Sequence, residues 1–248
     1  MQNKIPISKT RRIYFIRLIA RALIFATVIA MYIANKSQFD IANGWDFFEE
    51  FSPLHLLWGI WMLDMLQQLI PLKAHISIGS QKVFKAFFIP ADKQLNRQNL
   101  EKHTKSSTSS AYMVMVIWLA VSCLISILHL SGLTDTGMMV IIATFFYVCD
   151  LICVLIWCPF RLIMKNKCCT TCRIFNWDHM MMFVPIITVN SFFSWSLVTF
   201  SLITWLIWEL TVQMHPERFC EKSNKALRCS ECTDKLCTQY CRKNKKSL

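Results

Sequence analysis

Long apolar runs separated by short polar stretches dominate this 248-residue chain. A bilayer core of about 30 Å needs about 20 apolar residues in a helix. Five runs approach or exceed that length: 13–34, 54–72, 111–130, 137–160 and 179–213. The pattern predicts an all-α, polytopic transmembrane helix bundle over residues 1–214, followed by a small Cys-rich, basic tail over residues 215–248.

The last apolar run is too long for one simple span and too short for two full ones. Pro185 and the polar residues Asn190 and Ser191 provide a place where the helix can break. Broken helices are tolerated at membrane depth when protein surrounds them. We therefore expect a re-entrant segment or a short hairpin, and the alternative is one long tilted helix with the tail on the opposite side.

The loops differ sharply in basic residues. Of 27 Lys and Arg, six lie in residues 1–21, seven in 73–110 and four in 161–178, but only one lies in 35–52. Cytoplasmic loops carry the excess of Lys and Arg. The N-terminus is therefore expected in the cytoplasm of a multi-pass cell-membrane protein. A returning last segment would put the nine basic residues of the tail on the same side.

Composition narrows the function classes. The hydrophobic set makes up 54% of the chain and charged residues make up 17%, which excludes disorder and argues against a soluble enzyme. The net charge of +12 is explained by topology and anionic headgroups, so the expected partner is the lipid bilayer and not nucleic acid. Arg17 and Arg21, near the start of the first run, are expected to reach the headgroups.

Twelve cysteines provide candidate chemistry. The tail contains a C-x2-C pair followed by C-x4-C and C-x3-C steps, and the loop 161–178 contains a second C-x2-C pair. Four thiolates suit zinc or an iron–sulfur cluster. The predicted metal ligands are Cys168, Cys169, Cys172, Cys229, Cys232, Cys237 and Cys241. Disulfides would require an external tail, and unliganded thiols are the third interpretation.

A short stretch at the end of the fourth run favours iron–sulfur over zinc. Residues Cys153–Phe160 read C-V-L-I-W-C-P-F. This stretch resembles the C-x-x-x-C-P helix end of the NapH/NosR-type membrane ferredoxin-like proteins, which implies electron transfer beside cytoplasmic clusters. Its spacing is one residue longer, and the regular cluster-binding run is absent. For Cys149 and Cys153 the simpler interpretation is that buried thiols pack as small hydrophobes.

Polar residues inside the apolar runs form a second candidate site. Asp64 and Gln68 share one face of the second run, and Asp150 lies within the fourth. An intramembrane carboxylate should face the bundle interior. Asp64 and Asp150 could line a cation or proton path, or belong to a structural hydrogen-bond network. Glu209 is expected at the membrane interface.

Two further features have two interpretations each. Residues Val83–Ile89 predict either a short interfacial helix or a packed loop. His179 could supply a nitrogen ligand to a loop metal site, or open a helix beside Asp178. Neither a catalytic motif nor a nucleophile–base set is visible in one segment, so no catalytic residue is assigned.

Three functions fit these features. The first is an integral membrane protein whose cytoplasmic cysteines hold a metal centre, iron–sulfur or zinc, for membrane electron transfer or for a redox protein partner. The second is a cation- or proton-coupled transporter that uses Asp64 and Asp150. The third is a structural or assembly subunit with a zinc-stabilised docking tail.

Overall fold

The computed structural model describes residues 9–49, 51–72, 81–91, 96–164, 172–228 and 231, with His103 described by its backbone alone. Over these ranges the chain is all-helical and forms no β-strand, as predicted. The α-helices are α1 (Lys9–Ala34), α2 (Pro53–Leu69), α3 (Arg97–Leu130), α4 (Thr136–Leu155), α5 (Arg161–Met164), α6 (Asp178–Phe183) and α7 (Phe192–Met214).

Among the described residues, four helices are long and apolar enough to cross a membrane, namely α1, α3, α4 and α7. Only 11% of the most apolar window of α1, and of α3, is buried within the molecule. Side chains such as Leu23, Ile33 and Val116 are more than half exposed. A soluble monomer rarely tolerates so much apolar surface. These helices therefore indicate a membrane protein.

The second predicted span is the shortest. At 17 residues, α2 rises about 26 Å, slightly less than a bilayer core. Ser52 caps its first turn, Pro53 occupies the first helical position, and His55 Nδ1 accepts a hydrogen bond from the Ser52 N–H (3.0 Å). The predicted extension to residue 72 is wrong, because the backbone turns extended at Ile70, just before Pro71.

Helix α3 is longer than its apolar run. It starts at Arg97 instead of residue 111, because the polar stretch before the span continues the same helix. Serine and lysine cost a helix only a few tenths of a kcal/mol each.

The segment Val83–Ile89 forms no α-helix and contains parts of two short 3-10 turns, at Gln81–Val83 and Lys85–Phe87.

The last apolar run is divided in three. Helix α6 leads into the 3-10 turn Val184–Ile186, which contains Pro185, and α7 begins only at Phe192. Proline removes a backbone donor and interrupts a helix. Ser191 then caps α7, because its Oγ accepts a hydrogen bond from the Ser194 N–H (3.3 Å). One continuous tilted helix over 179–213 is therefore excluded.

One end of the bundle, here called the acidic end, gathers the segments 35–49 and 131–135. Asp135 accepts hydrogen bonds from Tyr32 Oη (2.7 Å) and Lys36 Nζ (3.3 Å). Residues 190–192 join them, because Gly44 N–H donates to the Asn190 carbonyl (2.9 Å). Gly44 has φ +51°, a conformation that favours glycine.

The opposite end, here called the basic end, joins the segments 81–91 and 215–228. Ala91 N–H donates to the Ser223 carbonyl (2.9 Å), and Lys225 N–H donates to the Ile89 carbonyl (2.8 Å). The start of α1 lies here too, because Tyr14 packs against Leu151 near the end of α4. The beginning of α1 and the residues after α7 thus lie at the same end.

The main core lies between α1, α2, α4, α6 and α7. Trp61 is fully buried against Phe183 and Phe193, with ring centroids 5.1 and 6.1 Å away. Rings at these distances pack with geometric preferences beyond simple burial. This core holds α2 against the broken segment 178–191, which contains α6, and against α7. It thereby positions the polar side chains of α2 and α6.

Candidate functional site

A buried arginine joins three helices of the bundle. Arg21 of α1 donates to Asp150 Oδ2 of α4 (2.8 Å) and to Asp64 Oδ2 of α2 (3.1 Å). Tyr147 completes the group, because its hydroxyl donates to Asp64 (2.6 Å) and its ring lies 3.8 Å from the guanidinium carbon. We call Arg21, Asp64, Tyr147 and Asp150 the arginine cluster.

The arginine cluster corrects the expectation for Arg21. Twelve residues into α1, it lies about 18 Å along the helix, and its side chain is 12% exposed between two carboxylates. It therefore does not reach the headgroups. The two carboxylates predicted to face the interior do so, and both use the same cation.

A second polar group lies next to the first. Gln68 Nε2 donates to both carboxylate oxygens of Asp178 (2.7 and 2.9 Å), and Asp178 Oδ1 also accepts from the His179 backbone N–H (2.8 Å). Gln68 therefore pairs with Asp178, although it shares a helix face with Asp64. The ring of His179 lies on the same carboxylate (Nδ1 to Oδ1, 3.0 Å), which favours the helix-opening interpretation over a metal ligand.

A third group surrounds Glu209, which lies near the end of α7 and is 7% exposed. Glu209 Oε1 accepts from Arg173 (2.7 Å) and Trp177 Nε1 (2.8 Å), and Oε2 accepts from Tyr112 Oη (3.2 Å). Burial is the largest influence on Arg173 and lowers its pKa, although the neighbouring Glu209 opposes this. Sequence reasoning missed Arg173, because a basic residue in a polar loop carries no signal of burial.

Four cysteines meet on one pocket beside α4. Cys149 and Cys153 come from α4, Cys158 from the turn after it, and Cys172 from the segment before α6. The thiols of Cys153 and Cys158 hydrogen-bond to each other. The cavity is about 270 Å³ and mostly apolar. Its other lining residues are Trp118, Phe145, Phe146, Asp150, Val154, Pro159, Phe160, Arg161, Ile174, Phe175, Asp178, Met181 and Met182.

The turn after α4 explains why the thiols meet. Ile156 and Trp157 both donate their N–H groups to the Ile152 carbonyl, so the helix ends there. Pro159, two residues later, cannot continue the helix. Cys158 follows this helix end directly and lines the same pocket as Cys153, which is five residues earlier.

The predicted metal site is only partly visible. Cys172 is on the pocket, whereas Cys168, Cys169, Cys229, Cys232, Cys237 and Cys241 lie outside the described residues. Within the part of the chain that is described, no group of three or more His, Cys, Asp or Glu is arranged to hold a metal ion. The four pocket cysteines therefore do not form a coordination sphere.

Known proteins provide no direct comparison for this arrangement. No protein family, curated protein or solved structure matches the chain.

Proposed function

We propose that this protein is a multi-pass membrane protein that performs thiol–disulfide redox chemistry in the pocket beside α4, on behalf of a redox partner. The observation that carries this proposal is the pair of hydrogen-bonded thiols, Cys153 and Cys158, in an apolar pocket that two further cysteines also line. A disulfide requires two cysteines whose side chains face each other at short range, and these two thiols line the same pocket and interact with each other.

The proposed reaction is the oxidation of two thiols to a disulfide. When Cys153 and Cys158 are oxidised, two S–H bonds break and one S–S bond forms. Two electrons pass to the redox partner, and two protons leave the thiols. Asp150 and Asp178 line the same pocket, so carboxylates capable of accepting those protons are within it.

The arginine cluster supports this role indirectly. Arg21 binds Asp150, which follows Cys149 in α4, and also binds Asp64 in α2. Buried charges need such pairing in a medium of low dielectric constant. The cluster fixes α4 against two other helices and thereby keeps the thiol pair in place. Because the Arg21 guanidinium bonds both carboxylates, this structural role is favoured over a cation path through Asp64 and Asp150.

We infer the membrane arrangement from the two ends of the molecule. Over the described residues, six segments run between the basic end and the acidic end: α1, α2, α3, α4, the broken segment 178–191 and α7. The described Lys and Arg residues other than Arg21 and Lys36 lie in 9–17, 82–85, 97–105, 161–173 and 218–228, which adjoin the basic end. By the positive-inside rule the basic end faces the cytoplasm, with the N-terminus and the tail on that side.

The metal-centre hypothesis stays a prediction, because most of its cysteines lie outside the described residues. A zinc or iron–sulfur centre in the loop or tail would provide a route for electrons to the same pocket. Iron, zinc and labile sulfide are measured on protein purified without oxygen in mild detergent. Iron with sulfide supports a cluster, and zinc alone supports a docking tail.

The experiment that tests the thiol proposal maps disulfides directly. Purified protein is reduced, oxidised with diamide, blocked with a maleimide and digested for mass spectrometry. We expect a peptide pair linked through Cys153 and Cys158, and its loss in Cys158→Ser. Cys123→Ser is the matched control, because Cys123 is an exposed free thiol on α3. If Cys153 and Cys158 both remain labelled by the maleimide, the proposal is wrong.

A further inference from the structure

The pocket beside α4 reaches the apolar outer surface of the bundle. Phe145 lines it and is 48% exposed, while Cys149 and Phe160 are half-buried in its wall. The surrounding helices α3 and α4 carry the exposed side chains that a bilayer would cover. A ligand could therefore enter from the lipid without crossing water.

The size of the pocket limits its occupant. A dry protein cavity of about 150 Å³ binds benzene, and this cavity is about 270 Å³. It therefore has room for a substituted ring or a fused pair of rings. The aromatic wall, with Trp118, Phe146 and Phe160, suits a flat ring, because aromatic groups stack or meet edge to face at short range.

The polar groups of the pocket limit the chemistry of the ligand. In its apolar wall lie the thiol pair Cys153 and Cys158 and the carboxylates Asp150 and Asp178. A ligand that reacts with the two thiols beside the two carboxylates accepts two electrons and two protons. It is also soluble in lipid, because the wall carries few polar groups. Quinones satisfy each requirement.

We propose that the pocket binds a lipid-soluble quinone and that this quinone is the oxidant of Cys153 and Cys158. The inference rests on the proposed thiol chemistry and names the partner for it. In the reaction both S–H bonds break and the S–S bond forms. The two electrons and two protons pass to the quinone, whose two carbonyl oxygens become the hydroxyl groups of a hydroquinone. Asp150 and Asp178 relay the protons.

The first experiment measures the reaction. Reduced, desalted protein in detergent is mixed without oxygen with a short-chain ubiquinone analogue, and the loss of quinone absorbance is followed. We expect one quinone reduced per protein, together with a Cys153–Cys158 disulfide. Cys158→Ser should reduce no quinone, while Cys123→Ser should behave as wild type, since Cys123 does not line the pocket.

A second experiment measures binding without turnover. The same quinone is added to Cys158→Ser, and quenching of tryptophan fluorescence is recorded. We expect saturable quenching that falls strongly in the additional variant Trp118→Phe. The matched control is Trp45→Phe, because Trp45 is exposed at the acidic end and does not line the pocket.

The outcomes separate this inference from the proposed function. If diamide forms the Cys153–Cys158 disulfide but the quinone does not, the inference is overturned and the thiol proposal stands. If diamide forms no such disulfide, both are wrong. Quenching that is non-saturable or equal in Trp118→Phe and the Trp45→Phe control overturns the assignment of the pocket.

Discussion

At the scale of single residues, Arg21 has the largest expected effect on stability. One guanidinium, 12% exposed, forms ion pairs with two carboxylates that come from different helices. Moving such charges out of water is costly, and the cost is recovered only while all partners are present. The arginine cluster is therefore an all-or-none contact between α1, α2 and α4.

Replacement of Arg21 by Gln should lower stability strongly. The change leaves Asp64 and Asp150, which are both partly buried, without their cation. Breaking a fully buried pair costs about 3–5 kcal/mol, which is the upper limit for this cluster. The measurement is the thermal unfolding midpoint in detergent. Arg12→Gln is the matched control, because Arg12 is exposed on the same helix. Equal midpoints for the two variants would contradict the role given to Arg21.

Asp135 has a smaller effect that depends on pH. Its carboxylate caps α4 through the Met138 N–H (2.8 Å) and also accepts from Tyr32 and Lys36. Partial burial alone would raise its pKa, but these hydrogen bonds together lower it. The contribution of the carboxylate is therefore complete above the unfolded pKa of about 3.9 and disappears as the pH falls through the lower folded value.

Two substitutions separate the cap from the charge. Asp135→Ala should cost about 1 kcal/mol at neutral pH, and Asp135→Asn should cost less, because asparagine also caps helices. The difference between wild type and Asp135→Asn should shrink below about pH 4. Thermal unfolding at several pH values measures both effects, and a difference that grows in acid would refute this explanation.

At this scale, part of the site is predictable from residue types alone. The rarity of carboxylates in apolar spans singles out Asp64 and Asp150. Arg21 is expected at the headgroups but lies between Asp64 and Asp150, because an arginine in the first half of a span fits either the headgroups or the interior. The meeting of Cys153 with Cys158 depends on how α4 ends at residues 155–157, and cysteine spacing alone does not determine that helix end.

At the scale of elements, one buried side chain adds to the backbone hydrogen bonds that hold the segment after α7. Asn224 is fully buried and donates through Nδ2 to the carbonyls of Lys82 (3.0 Å) and Arg218 (2.9 Å). Its Oδ1 accepts from the Ala226 N–H (3.1 Å). Because buried polar groups are costly when unpaired, this side chain fixes the contact between segments 81–91 and 215–228.

Asn224→Ala should release this contact. The change leaves the Lys82 and Arg218 carbonyls without their donor, at about 1–3 kcal/mol. Cys220, which is buried beside it, should then react faster with a maleimide. Asn99→Ala is the control, since Asn99 is exposed on α3. Unchanged reactivity of Cys220 in Asn224→Ala would mean that other contacts hold the segment.

Element boundaries show which features local pattern could predict. The apolar runs located α1, α4 and α7 to within a few residues, because a span requires continuous apolar length. The start of α3 lies 14 residues earlier than its apolar run, since polar residues outside the span prolong a helix without an apolar signal. The break before α7 was expected from Pro185, but its position at Phe192 follows from the contact of residues 190–192 with Gly44.

At the scale of the whole molecule, the proposed even number of crossings has a direct consequence. Tags placed at the N-terminus and at the C-terminus should both be protected from protease added to intact cells. A tag inserted after Gly132, in the turn at the acidic end, should be cleaved. The assignment of the basic end to the cytoplasm rests on the positive-inside rule. Cleavage of the C-terminal tag alone would contradict six crossings.

The redox state of the thiol pair tests the central claim most directly. Protein is equilibrated in dithiothreitol buffers of graded potential, and free thiols are counted by maleimide labelling. The proposed function predicts that Cys153 and Cys158 lose label together, along a two-electron curve in which a tenfold change in the equilibrium constant takes about 30 mV. Label retained on both cysteines at every potential, or lost from only one of them, would contradict it.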